Sequence, residues 1–269
     1  MRRRTKTGKR MARPKRRRLD QELVEQGLFA SADDAMRAVL AGEVSTSDRR
    51  LTAPGTMVKP GIFLHVKGRV PYVSRGGLKL EHGLREFSVD PSGLDCLDVG
   101  CSTGGFTDCL LRHGASSVLA VDVGYAQFDW SLRQDERVTL VERTNVLDLP
   151  KMAEARKVDL AVCDVSFTSV LTVLPAVSAL LRAHGRFLTL VKPQFEATRE
   201  EVGEGGVVRS EGVRLEALER VKQGLQHAGY EILGTCDSPI RGRKGNKEYL
   251  LLCKRSDEED CVQHNRSYM

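Results

Sequence analysis

The stretch LDCLDVGCSTGGFTDCLLRHG, residues 94–114, decides the fold. An apolar run, Leu94 to Val99, enters a glycine-rich turn from Gly100 to Gly105. A helical stripe follows and closes on Gly114. Strand, glycine turn and helix in that order open a nucleotide-binding α/β unit. The spacing Gly100-x-x-x-Gly104-Gly105 is not the GxGxxG that brings a pyrophosphate to a helix N-terminus. It still lets a ligand approach the backbone closely, because glycine has no Cβ.

Beyond this stretch, apolar runs alternate with helical patterns. The runs are SSVLAVDVG, RVTLVERTNV, VDLAVCDVSF, GRFLTLVKP, YEILGTCDSP and EYLLLCK. Several are almost continuously apolar, as strands covered on both faces must be. The helical segments FTDCLLRHG, SVLTVLPAVSALLRAHG and VRLEALERVKQGLQHAG each close on glycine. Residues 79–255 are therefore expected to form a doubly wound α/β domain. Such sheets bind ligands at the carboxyl ends of their strands. Asp122 ends the second run, where a carboxylate suits a pair of ribose hydroxyls, and Asn145-Val146 follow the third, where they would flank an adenine. A nucleoside ligand without a pyrophosphate pattern points to S-adenosylmethionine. The residues expected to bind it are Asp98, Gly100, Ser102, Thr103, Gly104, Gly105, Phe106, Asp122, Asn145, Val146 and Asp164.

Four charges sit at element ends: Lys79 opens a helix, Asp164 and Lys192 end strands, and Glu248 starts one. Each alone reads as a solvated charge. Together they resemble the K-D-K-E tetrad of the FtsJ-like ribose 2′-O-methyltransferases. With SRGGLKL, DVGCSTGGF, CDVSF, LVKPQFE and NKEYLLL in that order, the chain is similar to the TlyA-type family from about Leu19 to Lys254. The resemblance implies a Rossmann-like, seven-stranded methyltransferase domain. It also implies methylation of ribose 2′-hydroxyls in ribosomal RNA, with cytidines of both subunits' RNAs as acceptors. The same family carries the label haemolysin. A ribose hydroxyl is a poor nucleophile until deprotonated, and a lysine serves as base only when its pKa is drawn towards neutrality. Lys192 is the expected base, Lys79 the neighbouring cation, and Asp164 and Glu248 the orienting carboxylates; the scheme needs no metal.

Residues 19–66 read as a small separate unit. LDQELVEQGLF carries a helical stripe, and Ser31 is a candidate N-cap for ADDAMRAVLAG, which Gly42 stops. Val44, Val58 and IFLHV are strand-like between turn residues. Two helices and then strands resemble an S4 RNA-binding domain, which gives an α+β unit ahead of the α/β domain. Residues 67–78 read as a linker and 256–269 as a disordered tail. Residues 1–18 hold eleven Lys or Arg and no acid, whereas the rest has 31 bases against 36 acids. The net charge of +6 is thus a property of a basic tail that attracts polyanions. Expected RNA contacts are Arg17, Arg18, Arg75, and the loop residues Arg241, Arg243, Lys244 and Lys247. The glycine-rich segment EATREEVGEGGVVRSEGV reads as a mobile lid.

Seven cysteines without CxxC spacing, and six scattered histidines, argue for reduced thiols and no metal site. No apolar run reaches the ~18 residues of a membrane span. The expected setting is the cytoplasm, with ribosomal subunits as partners. Membrane lysis, methylation of a base or small molecule, and an assembly factor with an inactive enzyme domain remain as alternatives.

Overall fold

The structure is a computed structural model that describes residues 16–256, apart from 27, 47–48, 61, 63, 69–71, 204 and 243–244. Arg243, Lys244 and most of both predicted tails lie outside the described residues. The chain divides into two compact units, Met1–Val70 and Pro71–Met269.

In the first unit, β1 (Arg17–Arg18) leads into α1 (Leu19–Glu25) and α2 (Ala32–Leu40). Four short strands follow: β2 (Val44–Ser45), β3 (Arg50–Leu51), β4 (Met57–Val58) and β5 (His65–Val66). Ser31 caps α2 as expected, accepting from Asp34 N at 3.2 Å, and Gly42 leaves the helix with φ 70°. The strands make two antiparallel sheets, β1-β4 and β3-β2-β5. Leu19, Leu23, Ala35, Val39, Val44 and Val66 form the core. Arg17 and Arg18 were expected at the end of a disordered tail. They instead form β1, because each has an acid of α1 to face: Arg17 pairs with Glu22 at 3.0 Å and Arg18 with Asp20 at 2.5 Å.

The second unit opens with α3 (Gly76–Glu86), so the stretch read as linker is already helical in its last residues. Then come β6 (Asp95–Val99), α4 (Gly105–Arg112), β7 (Ser117–Val121), α5 (Trp130–Arg133), β8 (Val138–Val141) and β9 (Val158–Cys163). The chain continues through α6 (Val170–Leu180), β10 (Leu181–Val191), α7 (Pro193–Glu196), α8 (Glu211–His227), β11 (Tyr230–Asp237) and β12 (Tyr249–Arg255). Seven strands form one sheet in the order β11-β12-β10-β9-β6-β7-β8. Pairs from β10 to β8 are parallel, while β12 runs antiparallel to both neighbours. The central strands are buried, as their apolar runs require.

One helix ends earlier than its sequence suggests. SVLTVLPAVSALLRAHG reads as helical to Gly185, yet α6 stops at Leu180. Arg255 of β12 donates to Ser178 O at 2.7 Å and Leu181 O at 3.1 Å, taking carbonyls at the end of the helix. Leu181 then pairs with Val158, and the ladder shifts register before Arg186.

The chain runs outward from β6 to β8 and returns at β9 on the other side of β6. The crevice between β6 and β9 is the switch point where an open α/β sheet binds its ligand. Gly104, in the loop that leaves β6, has φ 94°, and a Cβ on it would lie 2.5 Å from Leu132 Cδ1. Gly104→Ala should therefore cost about 2 kcal/mol or more, a fall in Tm of roughly 4–8 °C. An unchanged melting temperature would contradict this account of the turn.

Candidate active site

The loop between β6 and α4 borders a cavity of about 850 Å³, the size of a pocket for a cofactor-sized molecule. Gly100, Ser102 and Gly104 have φ of 80°, 50° and 94°. A left-handed serine is strained and needs its surroundings to hold it. Asp122 provides the hold: its Oδ2 accepts from Ser102 N at 2.8 Å, and its Oδ1 accepts from Gly124 N at 2.6 Å. A carboxylate has about four acceptor sites, so each oxygen keeps capacity for a ligand hydroxyl. Thr103, Gly105, Phe106, Asn145 and Val146 also line the cavity.

Two of the expected cofactor residues do not reach it. Gly104 is turned into the packing described above. Asp98 is fully buried beneath the loop, accepting from Thr107 Oγ1 at 2.7 Å. Burial pushes its carboxyl up to about 7, and its Oδ1 has no hydrogen-bond partner. The glycines answer to the protein itself as much as to a ligand. A Cβ on Gly100 would come within 3.0 Å of Asp164 O, and one on Gly105 would collide with Ser74 Oγ at the start of α3.

The four expected catalytic residues all line this cavity. They form two ion pairs. Lys192 Nζ lies 2.5 Å from Asp164 Oδ1, and Lys79 Nζ lies 2.6 Å from Glu248 Oε2. The sequence reading has Asp164 and Glu248 orient the lysines, and each carboxylate does meet one lysine. Lys192 and Glu248 are only 7% and 3% exposed, and a charge so buried needs a partner. Lys192 Nζ also donates to Ser166 Oγ at 3.0 Å.

Several neighbours escaped the sequence reading. Phe167 has φ 64°, is 87% exposed and meets Phe195 at 5.2 Å between ring centroids. Both rings line the cavity. Gly242 is required beside Glu248, because a Cβ there would collide with Oε1. Asn246 is buried; it accepts from Val208 N at 3.1 Å and donates to Gly206 O at 2.9 Å. The glycine-rich segment read as a mobile lid is thus tied down at Gly206–Val208. Only Gly242, a glycine inside a basic loop, left a sequence signal.

Of the expected RNA contacts, Arg75 and Arg241 are exposed and line the cavity. Lys247 does not line it; it pairs with Asp237 at 3.0 Å. Arg17 and Arg18 belong to the first unit. Among the described residues no three His, Cys, Asp or Glu gather to hold a metal ion, and the six described cysteines are free.

Residues 72–255 match the model of the FtsJ-like methyltransferase family. The chain belongs to that family. It is 46% identical over 239 residues to YqxC of Bacillus subtilis, provisionally named an rRNA methyltransferase, covering 88% of this chain and 85% of the relative. It is 42% identical over 239 residues to TlyA of Mycobacterium tuberculosis, a 16S/23S rRNA (cytidine-2′-O)-methyltransferase, covering 88% and 89%. A solved structure from Streptococcus thermophilus, provisionally named a hemolysin, superposes with TM-score 0.69 at 40% identity, covering 91% of this chain and 90% of that one. No helix among the described residues is long and apolar enough to cross a membrane.

Asp98 gives the site a pH signature. A carboxyl whose folded pKa is raised from 3.8 to about 7 favours the fold at low pH, and that contribution fades as pH rises through this range. From pH 4 to 7.5 the native chain should lose on the order of 2–4 kcal/mol relative to Asp98→Asn. Chemical denaturation of both at each pH checks this; parallel curves would refute it.

Proposed function

We propose that this chain transfers a methyl group from S-adenosylmethionine to ribose 2′-hydroxyls of ribosomal RNA, with cytidines of the small- and large-subunit RNAs as acceptors. The observation that carries the reading is the pair of buried lysine–carboxylate contacts in the same cavity as the glycine loop. A methyl acceptor must meet both the cofactor and a base, and this cavity offers both walls.

The residues present fit the cofactor. Asp122 keeps free acceptor capacity for two ribose hydroxyls, and Val146 and Leu147 give an apolar flank for an adenine. When bound, the cofactor supplies an activated methyl group on a sulfonium. Lys192, in its neutral form, would take the proton of the 2′-hydroxyl as that oxygen accepts the methyl group; the O–H bond and the methyl–sulfur bond break, the O–C bond forms, and the demethylated cofactor leaves as a neutral thioether. Asp164 and Ser166 aim the Lys192 amine. Lys79, held by Glu248, supplies positive charge where the acceptor oxygen gains negative charge. Holding both reactants in line provides much of the acceleration.

The exposed Phe167 ring, backed by Phe195, offers a stacking face for the nucleotide whose ribose is methylated. Arg75 and Arg241 contribute phosphate contacts at the rim. Residues 19–66 act as an S4-like RNA-binding domain, with Arg17 and Arg18 as partly exposed cations and residues 67–78 as the join. The relatives' rRNA names support this assignment of substrate, and work on ribosomal subunits implies a cytoplasmic setting.

Lys192→Ala should bind S-adenosylmethionine as the parent does, yet lose methylation by at least a hundredfold. Digestion of the labelled RNA should release 2′-O-methylnucleosides. Base-methylated nucleosides, or full turnover by the variant, would overturn the reading. Asp122→Ala should weaken cofactor binding at least tenfold by calorimetry, and an unchanged dissociation constant would remove Asp122 from the ribose.

A further inference from the structure

Two segments leave neighbouring parallel strands and run side by side. Asp164 to Ser169 leaves β9 and enters α6; Lys192 to Glu196 leaves β10 and forms α7. Three cross-links join them in sequence order. The first is Lys192 Nζ with Asp164 Oδ1 at 2.5 Å and Ser166 Oγ at 3.0 Å. The second is the Phe195–Phe167 ring contact at 5.2 Å. In the third, Glu196 Oε2 accepts from Ser169 Oγ at 2.6 Å and Oε1 accepts from Val170 N at 2.8 Å.

The third link differs from the others in not lining the cavity. It nevertheless sets the far end of the loop. Ser169 is the N-cap of α6, accepting from Leu171 N at 3.1 Å while donating to Glu196. One carboxylate therefore fixes the cap hydroxyl and satisfies a backbone N–H at the helix start, where a negative charge is also favoured by the helix dipole. Keeping it there has a cost, because burial pushes the Glu196 carboxyl above its ordinary range. Between the first and third links the chain passes through Phe167 at φ 64°. A non-glycine residue holds that conformation only when its surroundings over-determine it. Cross-links on both sides of Phe167 do so.

We infer that Glu196 is a positioning residue for the methyl-acceptor side of the cavity, holding the Asp164–Ser169 loop in register with Lys192. This rests on the methyl-transfer reading above. Glu196 touches neither reactant; it acts through Ser169 and the Phe167 turn. The cofactor side is built on β6, β7 and the loop to α4, and neither carboxylate hydrogen bond of Glu196 reaches it.

The test uses the full chain with unmethylated 16S and 23S rRNA, both as free transcripts and within ribosomal subunits, parent and variants side by side. Glu196→Ala should lower kcat at least tenfold. Glu196→Gln keeps an acceptor oxygen and should lose only two- to fivefold, and it remains informative should the alanine variant fold poorly. In both, the dissociation constant for S-adenosylmethionine should stay within twofold of the parent. Ser169→Ala combined with Glu196→Ala should lose less than the sum of the two single losses, because both remove the Ser169–Glu196 hydrogen bond. The inference is overturned by kcat values within twofold of the parent. It is equally overturned by cofactor affinity falling in step with kcat, or by fully additive losses in the double variant. A parent inactive on both RNAs sinks the methyl-transfer reading and this inference with it; an active parent with undiminished variants sinks the inference alone.

Discussion

The ion pair between Lys192 and Asp164 spans the ends of two neighbouring parallel strands, and much of the second unit exists to make it possible. A lysine with 7% of its surface exposed must have a partner, since an unpaired charge at that depth is too costly to keep. The partner has to arrive from another strand at a fixed offset. Register between β9 and β10 supplies the offset, with Cys163 opposite Thr189 and the two charged residues just beyond. The switch at β6 supplies the room, because the chain leaves the crevice there on opposite sides. Asp164 N donates to Val99 O at 3.0 Å, so the same residue that pairs with the lysine also borders the glycine loop. The two halves of the site thereby meet where the β6–β9 ladder ends.

The second pair follows a different logic. Lys79 lies on α3, before the sheet begins, and Glu248 lies at the start of β12, the antiparallel strand. Only because β12 runs against its neighbours does its first residue sit at the carboxyl edge of the others. A parallel strand in that place would bring its last residue there instead, and Glu248 would be at the opposite edge. Gly242 then clears space for the carboxylate, and Asn246 ties the preceding turn to the Gly206–Val208 segment.

Sequence patterns conveyed the strands well, for a physical reason. Strands buried on both faces must be apolar along their length, so β6, β7, β9 and β10 stand out as runs. Charges at the ends of such runs stood out by contrast, which is how Asp164 and Lys192 were found. Strand direction has no compositional mark, so the antiparallel β12 was not legible. The end of α6 was not legible either, because Leu181 to His184 suit a helix locally and Arg255, far along the chain, decides otherwise. The N-terminal pair Arg17–Arg18 read as tail for the same reason: the acids that hold them are visible only once α1 is folded. Asp98 and Gly104 were read as ligand contacts because a motif records which residues are needed, not which direction they face.

That distinction matters for how the loop from Gly100 to Phe106 should be understood. Its glycines let α3 and α4 meet at their starts, and let Asp164 O approach from β9. The conformation that receives a ligand is therefore assembled by the protein before any ligand arrives. Preorganisation of this kind lowers the ordering cost of binding. It also means that a residue outside the cavity lining, such as Leu132 against Gly104, constrains the loop as firmly as those that line it. The acceptor side is built by the same principle, with the left-handed Phe167 clamped between Lys192 and Glu196. Both walls of the cavity thus rest on a strained residue, Ser102 on one and Phe167 on the other, each held by a carboxylate that reaches its own loop: Asp122 directly on Ser102, and Glu196 through Ser169 and Val170.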